Sequence, residues 1–124
     1  MMVGCADKAA DLEGDGGWAG FSSEVQAVCS YAGVSDLAAQ YKYYEEVLNK
    51  VNSPIVQFMG ETPKELPDTY ASASPITYVN RVDPPLLLVH GSLDLTVSFT
   101  QSEAMYQTYK RAVLDATLIE VEGE

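Results

Sequence analysis

Leu86, Leu87, Leu88 and Val89 form an uninterrupted aliphatic run between Pro84-Pro85 and His90-Gly91. A short run without polar alternation predicts a strand covered on both faces, as in a parallel sheet. Val25–Tyr31, rich in β-branched and aromatic residues and closed by Gly33, predicts a second strand, and Ala116–Glu122 a third. Between the first two strands, Ser35 or Asp36 can cap a helix whose apolar stripe is Leu37, Tyr41, Tyr44 and Leu48. The cluster of Tyr41, Tyr43 and Tyr44 is read as packing against the body rather than as a substrate cleft. After the aliphatic run, Ser98 with Gln101, or Thr100 with Glu103, offers a capping box for a further helix. Its buried face is expected at Met105, Tyr109, Ala112 and Val113, with Lys110 and Arg111 suiting the negative end of its dipole.

The remaining segments are less regular. Residues 1–10 read as the end of a helix, and residues 11–24 as a glycine-rich acidic surface loop. A calcium-loop reading of that stretch fails, because Glu13 takes the third ligand place and Ser22 stands where the bidentate Glu is required. Residues 52–85 are rich in proline; a short helix near 53–59 is expected, followed by an irregular crossing. The order of helix end, strand, helix, strand, helix, strand predicts an α/β architecture of about three parallel strands joined by helical crossovers. Chemistry in such sheets collects at the carboxyl ends of the strands, and Asp94 falls there, just past the Gly91 turn.

Composition narrows the function. The chain has 124 residues, enough for one modest core, and no apolar run long enough for a transmembrane helix. Its first residues lack the basic start and apolar stretch of a signal peptide. A net charge of -11 with seven basic residues argues against a nucleic-acid partner. The single histidine, His90, excludes a multi-histidine metal site within the chain, and no metal or other cofactor is expected. His90 reads as a packed or hydrogen-bonded structural residue. Cys29, inside an apolar segment, reads as a buried free thiol, with a Cys5–Cys29 disulfide left open.

Four groups of residues carry a family likeness. They are Tyr70–Val79, then Asp83–Asp94 with its His90-Gly91-Ser92-Leu93-Asp94 ending, then Gln101-Ser102 and Val121-Glu122-Gly123. In this order and spacing they resemble the C-terminal half of α/β-hydrolases, nearest to bacterial carboxylesterases of the acetyl-xylan and feruloyl esterase type. The prolyl-oligopeptidase-like serine peptidases are similar. Leu12–Gly17, Ser23–Val28 and Gly33–Leu37 fit the same esterases, so the resemblance covers nearly the whole chain.

The resemblance implies a partial α/β-hydrolase fold, with residues 1–124 the C-terminal portion of one domain and the N-terminal half of the sheet absent. It implies a Ser-Asp-His triad in which Asp94 is the acid. The sequence contains no G-x-S-x-G, and its nearest look-alike, Gly33-Val34-Ser35-Asp36-Leu37, ends in leucine and follows a different strand. The nucleophile is therefore expected before Met1 and the histidine beyond Glu124, so that the 124-residue chain alone has no triad-dependent activity. The implied substrate is a small acyl ester, including esters on carbohydrate. The alternatives are a serine peptidase fragment and a non-catalytic remnant serving as an interaction module. The strand at 25–31 would lack a neighbour, so self-association through an exposed sheet edge, or a molten product, is expected of the isolated chain. A sharp, reversible monomeric unfolding transition would contradict this.

Overall fold

The computed structural model describes residues 1–6, 12, 14, 16–18, 20–48 and 53–124. Three parallel strands, β1 (Val28–Tyr31), β2 (Leu86–Gly91) and β3 (Ala116–Val121), lie side by side in that order. Their register sets Val28 against Leu86 and Leu86 against Ala116. The α/β architecture of three parallel strands expected from the sequence is thus the one observed. Strand β1 is shorter than the expected Val25–Tyr31. The backbone of Val28 already bonds to the carbonyl of Pro85, and Pro84-Pro85 have no N–H with which to carry the ladder further back.

Helix α1 (Met2–Cys5) opens the chain. The helix end expected over 1–10 is seen there, and residues 7–10 lie outside the described residues. Helix α2 (Leu37–Glu46) starts at Asp36, whose carboxylate accepts the Ala39 N–H at 3.0 Å. Its expected stripe packs as a second cluster, with Tyr44 buried against Ile55 and Tyr70 and with Leu37, Tyr41 and Leu48 around them.

The expected irregular crossing is more ordered than proline content suggested. Helix α3 (Pro54–Met59) is the short helix foreseen, but α4 (Pro67–Ser72) and a 3-10 turn (Pro75–Tyr78) follow it. In each case proline sits in the first turn, where its missing N–H costs nothing. The prolines start these helices rather than interrupt them.

Helix α5 (Thr100–Arg111) packs Met105 and Tyr109 onto Leu86 and Leu88 of β2, with Cys5 of α1 closing the cluster. Two expectations about α5 are corrected. Val113 is exposed rather than buried, because the helix ends at Arg111 and Val113 turns outward at φ 62°; Leu114 packs on the core instead. Neither capping box forms: no side chain caps the helix at Phe99, and Gln101 reaches away to another element.

The two faces of the sheet differ. Leu86, Leu88 and His90 are buried, whereas Leu87 and Val89 on the other face are only half-buried. Beside them on that face, Tyr31 is 71% exposed, Ile119 47%, and Cys29 is exposed. The expectation that β2 is covered on both faces, and that Cys29 is buried, fails for this reason: among the described residues, helices cover one side of the sheet only. Both cysteines are free. Burial pushes the Cys5 thiol above its ordinary range, and burial likewise raises the Tyr109 phenol it contacts at 3.5 Å. No helix among the described residues is long and apolar enough to cross a membrane.

Candidate active site

Strand β2 ends at Gly91, and the chain turns sharply into Asp94. The Asp94 carboxylate caps its own loop: Oδ1 accepts the Thr96 N–H at 2.7 Å and the Val97 N–H at 2.9 Å. Such side-chain turns are a normal habit of aspartate in loops. Here they also immobilise the carboxylate in one orientation. The second oxygen, Oδ2, has no such backbone bond, and the side chain is 22% exposed. One oxygen is therefore committed to the loop while the other keeps lone pairs for a further donor.

His90 lies beneath this turn, fully buried. Its Nε2 is 2.9 Å from the Val97 carbonyl and its Nδ1 is 2.7 Å from the Ser102 hydroxyl. A carbonyl only accepts, so Nε2 carries the proton; in the neutral ring Nδ1 then accepts from Ser102. The ring of Phe99 meets it edge-on at 5.6 Å. These contacts agree with the hydrogen-bonded role read from the sequence. Four residues of separation nevertheless bring Nε2 to 3.6 Å from Asp94 Oδ2. Because Nε2 is already a donor and Nδ1 faces Ser102, both imidazole nitrogens are engaged.

Two buried glutamines join the loops on this edge. Gln101 Oε1 accepts the backbone N–H groups of Ser35 at 3.0 Å and Asp36 at 2.8 Å. Gln40 Nε2 donates to the Thr96 carbonyl at 2.9 Å, and Gln40 Oε1 accepts the Ser98 N–H at 3.2 Å. Sequence reasoning missed Gln40. Its signal was a polar residue at 40 within the stripe formed by Leu37, Tyr41 and Tyr44, where a buried amide must have partners. Ser35, in the nucleophile look-alike, is buried, and its hydroxyl donates to the Gln101 carbonyl at 2.7 Å. Among the described residues that hydroxyl has no base beside it, and it is engaged in structure.

The chain returns over the Asp94 loop at the end of β3. Ser92 N–H donates to the Val121 carbonyl at 3.0 Å, and Gly123 N–H donates to the Ser92 hydroxyl at 3.1 Å. The Leu93 N–H also bonds to the Glu124 carbonyl. A Cβ at position 91 would run into the Glu124 backbone, so the crossing requires glycine there.

Known proteins are similar to this chain in sequence and fold. The BD-FAE family profile matches residues 1–109. The uncharacterized peptidase YtmA of Bacillus subtilis (strain 168) is 32% identical over 82 residues, which is 66% of this chain and 30% of that protein. A truncated form of a carbohydrate esterase from gut microbiota superposes with a TM-score of 0.77 at 32% identity, over 90% of this chain and 39% of the other. A bifunctional GH43-CE protein of Bacteroides eggerthii superposes with a TM-score of 0.73 at 31% identity, over 89% of this chain and 15% of the other. An acylaminoacyl peptidase from Pyrococcus horikoshii, at 23% identity and a TM-score of 0.65, shares the fold over 83% of this chain and 16% of its own. The chain thus spans well under half the length of each of these proteins.

Proposed function

The chain belongs to the BD-FAE family, an esterase- and peptidase-like group of α/β-hydrolases, and on that premise we propose that residues 1–124 are the C-terminal part of a serine carboxylesterase domain. Its substrate class is small acyl esters, including acyl groups carried on carbohydrate. Asp94 is the acid of the triad. The nucleophilic serine and the basic histidine lie outside these residues.

The observation that carries this reading is the state of the Asp94 carboxylate. It stands just beyond the end of the middle strand, with Oδ1 fixed by two backbone amides and Oδ2 partly exposed. A triad acid needs both properties. It must not rotate, and it must offer one oxygen to the Nδ1–H of an incoming histidine, whose tautomer it fixes and whose protonated form it stabilises. The histidine then takes the serine proton as the oxygen attacks the ester carbonyl, and returns it to the leaving alcohol.

Carbohydrate esters are favoured as substrates by the two relatives above 30% identity whose names carry a carbohydrate esterase or CE module. A peptidase reading is favoured by the name of YtmA. Self-association of the isolated chain through the free edge of β1 belongs to the same proposal. The deciding experiment assays the full-length gene product on acetylated xylan, methyl ferulate and alanine p-nitroanilide. Turnover of either ester with an inert anilide is the expected result. Anilide turnover exceeding ester turnover moves the assignment to a peptidase, and inertness toward all three sinks it.

A further inference from the structure

We propose that Gln40 is a positioning residue for the Asp94 carboxylate, acting from α2 through two successive peptide planes of the 96–98 loop. This rests on the reading of Asp94 as the triad acid.

The argument starts from the planarity of the peptide unit. The Thr96 carbonyl and the Val97 N–H belong to one rigid trans plane and point in opposite directions. The Val97 N–H donates to Asp94 Oδ1 at 2.9 Å, and the Thr96 carbonyl at the other end of the same plane accepts from Gln40 Nε2 at 2.9 Å. The plane cannot swing away from the carboxylate without breaking its bond to Gln40. In the next plane, the Val97 carbonyl accepts from His90 Nε2 at 2.9 Å and the Ser98 N–H donates to Gln40 Oε1 at 3.2 Å. One carboxamide therefore grips two consecutive planes, as donor to the first and acceptor from the second. A donor on the Thr96 carbonyl also polarises its peptide and strengthens the Val97 N–H as a donor to the carboxylate.

Gln40 is itself held firmly. It is fully buried in the first turns of α2. The start of that helix is tied to α5, because Gln101 accepts the N–H groups of Ser35 and Asp36. Asparagine is one methylene too short to serve the same two planes from this backbone position. Isosteric apolar residues fill the volume but leave the half-buried Thr96 carbonyl and the buried Ser98 N–H without this partner.

The test uses the full-length enzyme with p-nitrophenyl acetate, comparing wild type, Gln40→Met, Gln40→Asn and Asp94→Asn. Methionine preserves the volume and removes both hydrogen bonds. Gln40→Met is expected to lower kcat about tenfold with KM changed less than about twofold, since Asp94 does not touch the substrate. The acid limb of kcat/KM is expected to move to lower pH, because a histidine less firmly paired with a carboxylate is less basic. Gln40→Asn stays polar and uncharged but is too short to hold both planes; it is expected to shift the same limb in the same direction, and it decides the matter if Gln40→Met does not fold. A wild-type pH profile in the folded variants, with activity lost only in proportion to folded protein, overturns the inference. If Asp94→Asn itself turns over like wild type, the assignment of Asp94 has failed. If Asp94→Asn is inert while the Gln40 variants keep the wild-type profile, the inference about Gln40 alone has failed.

Discussion

Asp94→Ala is expected to lower kcat of the full-length enzyme on p-nitrophenyl acetate by about 10⁴-fold, the scale seen when a triad acid stops directing its histidine. The reason lies in how the carboxylate is deployed. Oδ1 is occupied by the Thr96 and Val97 amides, so only Oδ2 remains for an imidazole, and alanine offers nothing in its place. KM should change little, because the lost interaction matters only as positive charge develops on the histidine. His90, although 3.6 Å from Oδ2, cannot substitute, since both of its nitrogens are engaged. Residues 1–124 expressed alone are expected to show no turnover that depends on Asp94. Steady turnover by that polypeptide, abolished by Asp94→Ala, would refute the view that serine and histidine lie elsewhere.

Gln101→Leu is expected to destabilise the protein by about 3 kcal/mol, because it orphans one buried and one half-buried backbone donor, each costing about 1–3 kcal/mol. Leucine nearly matches glutamine in volume, so the loss isolates the hydrogen bonds from packing. The donors are the N–H groups of Ser35 and Asp36, both served by the one Oε1 atom. They begin α2, so the damage should also spread to Gln40 and the Asp94 loop. Guanidinium denaturation of the full-length protein measures the effect; a loss below about 1 kcal/mol would mean that water or a rearranged loop takes over the role.

The parts of this molecule that were legible in the sequence are those governed by local rules. The aliphatic run at 86–89 specifies a strand whatever surrounds it, and Gly91 followed by Asp94 specifies a turn with an acid at its edge. The cap at Asp36 and the stripe on α2 follow from helix periodicity alone. The misreadings share another origin. Gln101 satisfied a capping pattern, yet its partners lie 65 and 66 residues away, where no local rule reaches. Strand β1 stops at Val28 because of prolines in its neighbour rather than in itself. Pro67 and Pro75 were read as punctuation when each sits in a first helical turn. Cys29 was judged by its apolar neighbours, although a strand residue's burial is decided by whatever covers its face.

The return of Val121–Glu124 across the Asp94 loop can be restated as a local concentration. The crossing is pinned by the Ser92, Leu93 and Gly123 amides, so its path does not wander relative to the carboxylate. A residue adds at most about 3.3–3.6 Å of reach. A group borne two residues beyond such an anchor is confined to a sphere of about 7 Å radius, equivalent to on the order of 1 M. A base delivered to Asp94 by this route meets it as part of one molecule, and no diffusional search separates the two.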